Sequence, residues 1–369
     1  MPDSTDVFVI GGGPAGLAAA IAARQAGFRV MVADGATPPI DKACGEVLMP
    51  DALAAFERLG FSLPAGDASF LRGVRFLSSE LSAEAVFPSG TCGVSLRRTA
   101  LHDIMSERAA ALGVNLLWQT AVTGISGDEI QLGPRKIRTR WIIGADGANS
   151  RVRRWAKLDA HSRTKLRYAF RRHYRIKPWT DRLEIYWGKH SQGYATAVSH
   201  DEVCVAVASQ DPTLRLQESL PGLPELNARV RGAETSSTER GSVSANRKLH
   251  RVWRENVALI GDASGTVDAI TGEGLGLAFS QAMALAECLK SDNLAGYQAG
   301  HRRLSRRPLL MARLMLTLDG RPRFQQRTLQ AFRQRPEVFR RLLALHIGNL
   351  SPLHLALDGL TLGWGLLTA

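Results

Sequence analysis

The sequence is poor in cysteine, and its cysteines are far apart. Cys44, Cys92, Cys204 and Cys288 are the only four in 369 residues. No CxxC pair or other zinc-type spacing occurs, and scattered cysteines do not suit a disulfide framework, which uses dense pairs in small secreted chains. We therefore expect no metal site, and we expect a protein of a reducing, cytoplasmic compartment.

Long hydrophobic runs are missing as well. A helix that crosses a bilayer needs roughly 18 or more apolar residues. The nearest approach, residues 353–367, is shorter and carries Asp358. The apolar segment after Asp6 is broken by three consecutive glycines and lacks a basic leader, unlike a signal peptide. We expect no membrane-spanning segment.

Acidic residues are too few to balance the basic ones. Lys and Arg number 47 against 34 Asp and Glu, so the net charge is +13. Twelve arginines fall within 302–341, where only Asp319 and Glu337 oppose them. This region could contact anionic lipid at the inner face of a membrane, or it could be a solvated helical face packed on the rest of the protein. We favour the second slightly. No nucleic-acid-binding motif is present, so we expect no nucleic-acid partner; the composition leaves the oligomeric state open.

A glycine motif lies near the beginning of the chain. Residues 6–34 predict a strand, a glycine turn, a helix and a second strand. In this motif Gly11 permits the tight turn, Gly13 lets a pyrophosphate approach the backbone, and Gly16 lets helix and strand pack closely. Asp34 ends the second strand, where a carboxylate binds the ribose of an adenosine. The motif predicts dinucleotide binding without distinguishing FAD from NAD.

A second glycine loop follows a later strand. Gly261 and Asp262 come after the apolar run 256–260, and a helix is predicted to begin near Leu275. Asp262 can accept hydrogen bonds from ribityl hydroxyls, and the helix directs its positive end at a ring that gains negative charge on reduction. Three glycines would let the backbone lie against that planar ring: Gly272, Gly274 and Gly276. The second loop therefore favours FAD.

Three segments together resemble a known superfamily. They are "GGGPAG" (11–16), "GADGANSRVR" (144–153) and "GDASGTVDAITGEGLGLA" (261–278). In this order they are similar to the motifs of the FAD-dependent oxidoreductases of the aromatic-hydroxylase and geranylgeranyl-reductase superfamily. The resemblance implies an α/β fold: a Rossmann-like FAD-binding domain of the glutathione-reductase type, an inserted antiparallel β-sheet substrate domain and a C-terminal helical region. The segment Lys42-x-Cys44-Gly45 resembles the geranylgeranyl-reductase-like branch in particular.

The motifs and the resemblance together imply non-covalent FAD and a set of cofactor-binding residues. Arg98 is the arginine that matches the superfamily, with the neighbouring Arg97 as an alternative. The expected cofactor-binding residues are Gly11, Gly13, Pro14, Ala15, Gly16, Asp34, Lys42, Cys44, Gly45, Arg98, Val122, Asp146, Gly147, Gly261, Asp262, Gly272, Gly274, Leu275 and Gly276.

The domain division follows from the change of hydrophobic period. We expect the FAD-binding domain to comprise residues 1–67, 97–160 and 241–300, the substrate domain 68–96 and 161–240, and the basic helical region 301–369. Between 165 and 210 the period of two predicts a half-buried antiparallel sheet, with mostly basic residues on its open face. One aromatic face either lines an apolar substrate pocket or forms core against the flavin domain, and we weigh the two equally: Tyr168, Phe170, Tyr174 and Trp187.

Few side chains suggest acid–base chemistry. Cys44 would be a reactive thiol if Lys42 lowered its pKa, but we favour a small residue packed near the ring. Glu46 and Glu273 flank the two flavin loops and are the better candidates for proton transfer, with helix capping an equal alternative for Glu273. His173, His190 and His200 are more readily explained as surface or internally satisfied histidines.

We therefore expect an FAD-dependent oxidoreductase of a lipophilic or aromatic small molecule. A second GxGxxG is absent, so NAD(P)H would bind transiently over the flavin as the reductant. Monooxygenation, by hydroxylation or epoxidation, ranks a little above reduction of carbon–carbon double bonds in an isoprenoid-like substrate. A non-catalytic electron-transfer or docking flavoprotein is the third alternative.

Overall fold

The computed structural model of the chain describes residues 3–63, 68–78, 81–163 and 166–350. The apolar segment 353–367 lies outside these ranges. Within them, no helix is both long enough and apolar enough to cross a membrane.

The described residues contain ten α-helices. In chain order they are α1 Pro14–Gln25, α2 Pro50–Arg58, α3 Arg98–Ala111, α4 Arg151–Trp155, α5 Leu216–Ser219, α6 Pro224–Val230, α7 Gly274–Lys290, α8 Leu294–Leu318, α9 Pro322–Gln334 and α10 Pro336–His346.

The same residues contain twenty-two strands. In chain order they are β1 Ser4–Ile10, β2 Val30–Ala33, β3 Val47–Leu48, β4 Ser69–Leu71, β5 Gly73–Ser78, β6 Leu81–Val86, β7 Gly93–Ser95, β8 Asn115–Leu117, β9 Gly124–Ser126, β10 Glu129–Leu132, β11 Arg135–Gly144, β12 His161–Arg163, β13 Arg167–Arg175, β14 Arg182–Trp187, β15 Ser191–Ala197, β16 Glu202–Ser209, β17 Glu234–Thr235, β18 Arg240–Ser244, β19 Arg247–Leu249, β20 Trp253–Arg254, β21 Val257–Leu259 and β22 Gly265–Thr266.

A largely parallel sheet forms the centre of the flavin-binding half. Its strands follow the order β20-β21-β11-β1-β2-β8, and β10 and β9 extend it from β11. Strand β1 pairs in parallel with both β11 and β2, so that Phe8 lies opposite Ile142 and Met31. The sheet shares one core with helices α1, α3 and α7. Burial on both faces explains the uninterrupted apolar runs of β1 and β2, and the predicted order of strand, glycine turn, helix and strand is confirmed.

A second sheet holds the residues whose sequence alternates with a period of two. Its order is β17-β13-β16-β15-β14-β5-β6, with β18 also on β13. The predicted antiparallel pairing is present, except that β14 and β5 run parallel. The expectation of a half-buried sheet is wrong, because β14, β15 and β16 are buried almost throughout. Helices α5 and α6 cover one face and α9 and α10 pack at the other.

Three basic residues of β13, Arg167, Arg171 and His173, are accordingly buried rather than solvated, whereas Arg175 at the end of the strand is exposed. Arg171 is nearly inaccessible, and its guanidinium lies 2.5 Å from a carboxylate oxygen of Asp41 in the loop before β3. Although burial opposes ionisation, Arg171 and Arg240 hold the pKa of Asp41 below its usual range. A period of two assigns side chains to faces but does not reveal what covers each face.

The three C-terminal helices divide their contacts between the two halves of the molecule. Helix α8 packs on α7, as the packed-helix alternative expected, whereas α9 and α10 pack on β5 and β6 of the second sheet. Phe339 of α10 packs against both α9 and the sheet, since its ring lies 4.4 Å from that of Phe332 and 5.4 Å from that of Phe76. These helices therefore belong to the body of the fold.

Candidate active site

A single cavity of about 1010 Å³ runs from the first glycine loop, between the two sheets, to the C-terminal helices. Pockets for small molecules usually measure about 300–1,000 Å³. The cavity is therefore large enough for a long cofactor together with part of a second molecule. Its two ends differ in chemistry: one is formed by loops and glycines, and the other by apolar side chains.

Most of the residues expected from the sequence meet at the first of these ends. Those that line the cavity are Gly11, Gly13, Pro14, Ala15, Asp34, Lys42, Cys44, Gly45, Glu46, Arg98, Val122, Asp146, Gly147, Gly261, Asp262, Gly272, Gly274 and Leu275.

Five glycines leave the backbone open to the cavity. A Cβ atom at Gly13, Gly45, Gly147, Gly272 or Gly274 would meet no protein atom within 4 Å. Gly147 and Gly272 also have left-handed φ values of +80° and +68°. All five line the cavity, so a bound molecule could contact the main chain at these places. This open backbone fits the phosphates and the planar ring of FAD.

Two other glycines serve packing. A Cβ at Gly16 would collide with the carbonyl oxygen of Gly11, and one at Gly276 would lie 2.8 Å from Cβ of Ala52. Neither glycine lines the cavity. Gly16 thus joins α1 to the strand before it, as its place in the motif suggests. The expected contact of Gly276 with the flavin ring is not found, because this residue faces α2 from the first turn of α7.

Two acidic side chains of the motifs support loops at the cavity. The carboxylate of Asp34 accepts hydrogen bonds from the amides of Gly12 (2.7 Å) and Ala36 (2.8 Å). That of Asp146 accepts bonds from the amide of Arg151 (2.6 Å) and the hydroxyl of Ser150 (2.5 Å), and thereby caps α4. Both carboxylates therefore shape their own loops as well as facing the cavity.

The loop 118–123 carries Val122 to the cavity. Val122 lies outside the strands, since β8 ends at Leu117 and β9 begins at Gly124. Instead, the amide of Thr120 donates to the carbonyl of Asp34 at 2.8 Å. This hydrogen bond fixes the loop beside the end of β2 and leaves Val122 buried against the cavity.

The flavin loop 41–48 meets the second glycine loop. Nζ of Lys42 lies 3.3 Å from Oδ2 of Asp262, with both side chains partly exposed. The main chain therefore brings two segments that are far apart in sequence to one edge of the cavity.

Arg97 and Arg98 have different surroundings in the structure. Arg97 forms an ion pair with Glu202 of the second sheet at 2.5 Å, which occupies its guanidinium. Arg98 lines the cavity, and its amide donates to Oε1 of Glu46 at 3.0 Å. Its Nε is buried and has no hydrogen-bond partner among the described residues. Of the two alternatives, Arg98 is the arginine that can reach a bound cofactor.

A buried polar cluster lies behind the flavin loop. Glu46 adopts a left-handed φ of +59° and places Oε2 2.6 Å from Nε2 of His173. Nδ1 of His173 lies 2.8 Å from the hydroxyl of Ser237, and Arg171 lies 3.6 Å from Oε1 of Glu46. His173 is thus a satisfied internal histidine, one of the roles expected for it, and Glu46 connects the flavin loop to the second sheet.

Cys204 completes this cluster. The ligand-type atoms of Glu46, His173 and Cys204 lie within 4.8 Å of one another, and all three side chains are buried. Burial raises the pKa of the Cys204 thiol well above its usual range. Because Glu46 already bonds His173 beside a guanidinium, we interpret the cluster as hydrogen-bonded support for the loop. Sequence spacing did not indicate it, since the three residues come from three distant segments.

Glu273 is turned away from the cavity. Its carboxylate lies 3.6 Å from Nδ1 of His346 and 3.7 Å from Nε of Arg307, and it makes no capping bond to α7. Burial raises the pKa of Glu273 to about 8 and lowers that of His346 to about 4, so both are neutral near pH 7. The capping role is therefore not found. His346 and Arg307, which no sequence motif marked, attach the C-terminal helices to the second glycine loop.

Apolar side chains form the other end of the cavity. Trp187 lies there as expected, with its ring 4.7 Å from that of Phe76. The sheet and the C-terminal helices contribute the rest: Val74, Phe76, Leu183, Ile185 and Tyr194, with Met311, Met315, Phe332, Phe339 and Leu342. The helical contribution was not anticipated, because the basic composition of 302–341 concealed its buried apolar residues.

The aromatic face of β13 does not form this wall. Tyr168 and Tyr174 do not line the cavity, although Phe170 does. Phe170 and Tyr174 belong to the apolar cluster beneath α5 and α6, on the opposite face of the sheet. The reason is the strand alternation: Arg171 and His173, which face the flavin loop, occupy the other face of β13. Of the four expected pocket residues, Trp187 and Phe170 therefore reach the cavity.

Comparisons with known proteins agree with this geometry. Residues 4–304 match the family model described as FAD binding domain. The menaquinone reductase of Mycobacterium tuberculosis is 29% identical over 319 residues, which are 79% of this chain and 78% of that protein. Digeranylgeranylglycerophospholipid reductase 1 of Methanothermobacter thermautotrophicus is 27% identical over 299 residues, 74% of each chain. A solved structure of a flavin-dependent brominase superposes with a TM-score of 0.79 at 19% identity, over 94% of both chains.

Proposed function

The chain belongs to the FAD-binding-domain family and is an FAD-dependent oxidoreductase, and on this premise we propose that it reduces carbon–carbon double bonds of a lipophilic, isoprenoid-like substrate. This ranking reverses the expectation from the sequence, which placed monooxygenation slightly first.

The observation that carries the proposal is the apolar end of the cavity. Its walls come from the second sheet and the C-terminal helices and consist almost entirely of hydrocarbon and aromatic groups. Such a surface gains free energy by removing an apolar chain from water, about 25 cal/mol per Å². It offers few polar atoms that would select a small hydrophilic substrate. The two relatives at 29% and 27% sequence identity are both called reductases, and their names refer to menaquinone and to a geranylgeranyl lipid.

The loop end of the cavity fits FAD. We propose that Gly13, Pro14 and Ala15 contact the pyrophosphate at the start of α1, with Asp34 near the adenosine ribose and Arg98 as a cationic donor. Lys42, Gly45, Asp262 and Leu275 would surround the remainder of the cofactor, as would the open glycines Gly147, Gly272 and Gly274. When bound, FAD supplies hydride after its own reduction, for which NAD(P)H is the proposed transient donor.

The protein must also supply a proton, because hydride adds to one carbon of the double bond and a proton to the other. Cys44 lies on the flavin loop, lines the cavity and accepts the amide of Glu46 at 3.3 Å. It is the proposed proton donor. Glu46 faces away from the substrate end into its pair with His173, so it is better suited to hold the loop than to exchange protons with substrate.

Monooxygenation is the second candidate. It is favoured by the likeness in fold to the brominase, an enzyme that also uses a flavin. At this level of identity the likeness concerns the fold alone, which serves many chemistries. The same cavity would exclude water from a reaction with oxygen.

Anaerobic turnover separates the alternatives. The purified yellow protein is reduced with NADPH or NADH without oxygen and then mixed with a short isoprenoid alcohol or an isoprenoid quinone in detergent. We expect the flavin to reoxidise and the product to gain two hydrogen atoms by mass spectrometry. A product that gains one oxygen atom, and only in air, would favour the monooxygenase; reoxidation by an electron acceptor alone, without any product, would favour an electron carrier.

The role of Cys44 has its own test. Cys44→Ala should lower the rate of substrate-dependent reoxidation at least tenfold and leave reduction by NADPH unchanged, while Cys44→Ser should retain part of the rate. Full turnover in Cys44→Ala would overturn this role and leave Cys44 as a small packing residue.

A further inference from the structure

The outer side of α8 and the start of α9 form an exposed surface that the proposed chemistry does not use. We define the α8–α9 face as Arg303, Arg306, Leu310, Arg313, Leu314, Arg323 and Phe324. The α8 members recur at intervals of three or four residues, so they follow one stripe of the helix. A three-residue connection then leads directly into α9.

Large apolar side chains are unusually exposed on this face. Leu310, Leu314 and Phe324 have relative exposures of 42%, 45% and 49%. Single exposed apolar residues are common and need no explanation. Here they make up half of the large hydrophobic residues that are exposed in the described parts of the chain, and they are concentrated on two consecutive helices. A concentration of this kind indicates a contact surface.

The arginines around them carry uncompensated charge. Within the described residues, no Asp or Glu pairs with Arg303, Arg306, Arg313 or Arg323. Some exposed arginines elsewhere on the molecule do have such partners; Arg29, for instance, pairs with Asp6 at 2.9 Å. The face therefore presents positive charge and hydrocarbon together.

The face borders the opening of the cavity. Leu314 and Thr317 are both exposed and both line the cavity. The adjoining side of the same helix contributes Met311, Met315 and Leu318 to the cavity wall. A molecule that enters past Leu314 would move from this surface directly onto apolar wall residues.

We propose that the α8–α9 face docks the protein on an anionic phospholipid bilayer, with Leu310, Leu314 and Phe324 inserted at the interface and the arginines against lipid phosphates. Interfacial helices combine these residue types in this way. A nucleic acid would pair its phosphates with the arginines but would leave Leu310 and Leu314 exposed to water. The docking itself does not depend on the reaction; only the further step, transfer of a lipophilic substrate from the bilayer into the cavity, rests on the proposed function.

Vesicle flotation tests the docking with the full chain and bound FAD. Vesicles of phosphatidylcholine are compared with vesicles that contain about 30% phosphatidylserine at low and high salt. We expect binding to the anionic vesicles alone, weakened by salt. Each basic residue at such a surface contributes about fivefold to the partition coefficient, so Arg306→Gln, Arg313→Gln and Arg323→Gln together should lower it roughly 100-fold.

A matched variant removes three charges from other exposed positions: Arg58→Gln, Lys177→Gln and Arg231→Gln. It should bind nearly as tightly as the wild type. A second variant, Leu310→Gln with Phe324→Gln, should lose binding while keeping the charge. Equal losses in the two charge variants would show attraction by net charge alone and overturn the proposal, as would a lack of binding to anionic vesicles. Flotation requires no turnover, so its failure leaves the detergent assay of the proposed reaction unaffected.

Discussion

The carboxylate of Glu46 lies 2.6 Å from Nε2 of His173, and both side chains are buried. Glu46 ends the loop that carries Lys42, Cys44 and Gly45, and His173 belongs to β13 of the second sheet. One hydrogen-bonded pair thus holds the loop with the geranylgeranyl-reductase-like segment in place against the domain expected to bind substrate. The left-handed backbone of Glu46 is maintained by this pair and by the bond from Arg98.

Removing one partner of the Glu46–His173 pair should lower the free energy of unfolding substantially. Glu46→Ala leaves His173 buried without its carboxylate, while Arg171 keeps its ion pair with Asp41. Loss of one partner of a buried pair typically lowers the free energy of unfolding by about 3–5 kcal/mol. We expect weaker FAD binding in the same variant, because the loop loses its anchor. Urea unfolding and FAD fluorescence measure the two effects. Glu84→Ala, which breaks an exposed ion pair with Arg75, should cost about 1 kcal/mol or less. An equal cost for the two variants would contradict the buried-pair interpretation.

Two glycines of the first motif should respond differently to the same substitution. Gly13→Ala places a methyl group in open cavity, so the unfolding midpoint without FAD should stay unchanged while FAD affinity falls at least tenfold. Gly16→Ala drives a methyl group into the carbonyl of Gly11 and should destabilise the protein even without FAD. Thermal unfolding of the apoprotein and titration with FAD distinguish the two. Unchanged FAD affinity in a folded Gly13→Ala variant would argue against a close approach of the cofactor at this position.

The C-terminal helices should depend on one aromatic contact. Phe339→Ala removes a ring that packs against Phe76 and Phe332, and such truncations cost about 3–5 kcal/mol. Because these rings also form the cavity wall, KM for a lipophilic substrate should rise in the same variant. Phe324→Ala, at an exposed position, should change the free energy of unfolding by about 0.5 kcal/mol or less. If both variants behave alike in denaturant, α10 does not stabilise the second sheet as inferred here.

Stability should depend on pH through Glu273. Burial raises the pKa of Glu273 to about 8 from a usual value of 4.5, so between these values the folded state holds a proton that the unfolded state has lost. The stability contributed by Glu273 is therefore fully present below pH 4.5 and is lost as the pH rises through about 8. Glu273→Gln keeps the shape without the ionisation. Its free energy of unfolding, relative to wild type, should thus increase by up to about 1.4 kcal/mol for each pH unit in this range.

Glu287→Gln is the matched control, since Glu287 is exposed on the same helix. Its difference from wild type should remain constant with pH. The lowered pKa of His346 acts in the opposite direction, stabilising the fold as the pH rises from about 4 towards the usual value of 6.5, but it is shared by all three proteins. Parallel profiles for Glu273→Gln and wild type from pH 5 to pH 8 would mean that Glu273 is ionised in the folded state.

The cofactor half of the molecule could be predicted from local sequence patterns. Gly11, Gly13, Asp34 and Asp262 could be assigned because backbone turns, helix starts and strand ends depend on neighbouring residues, and these leave regular spacings. The same local rules predicted β1, α1 and β2, the period of two in the second sheet and a helix start near Leu275, which the structure places at Gly274. The match of residues 4–304 to the FAD-binding-domain family agrees with these predictions.

Which face of each helix or strand is covered, and by which other element, depends on long-range packing that the sequence patterns do not show. Tyr174 and Arg171 belong to the same strand, and the alternation of side chains places them on opposite faces. Helices α5 and α6 pack beneath Tyr174, so that it belongs to the core. Arg171 instead bonds Asp41 and therefore faces the flavin loop. Likewise, Glu273 meets His346 because α10 returns to the start of α7. Such contacts join segments far apart in the chain, where burial and charge pairing leave no local spacing to recognise.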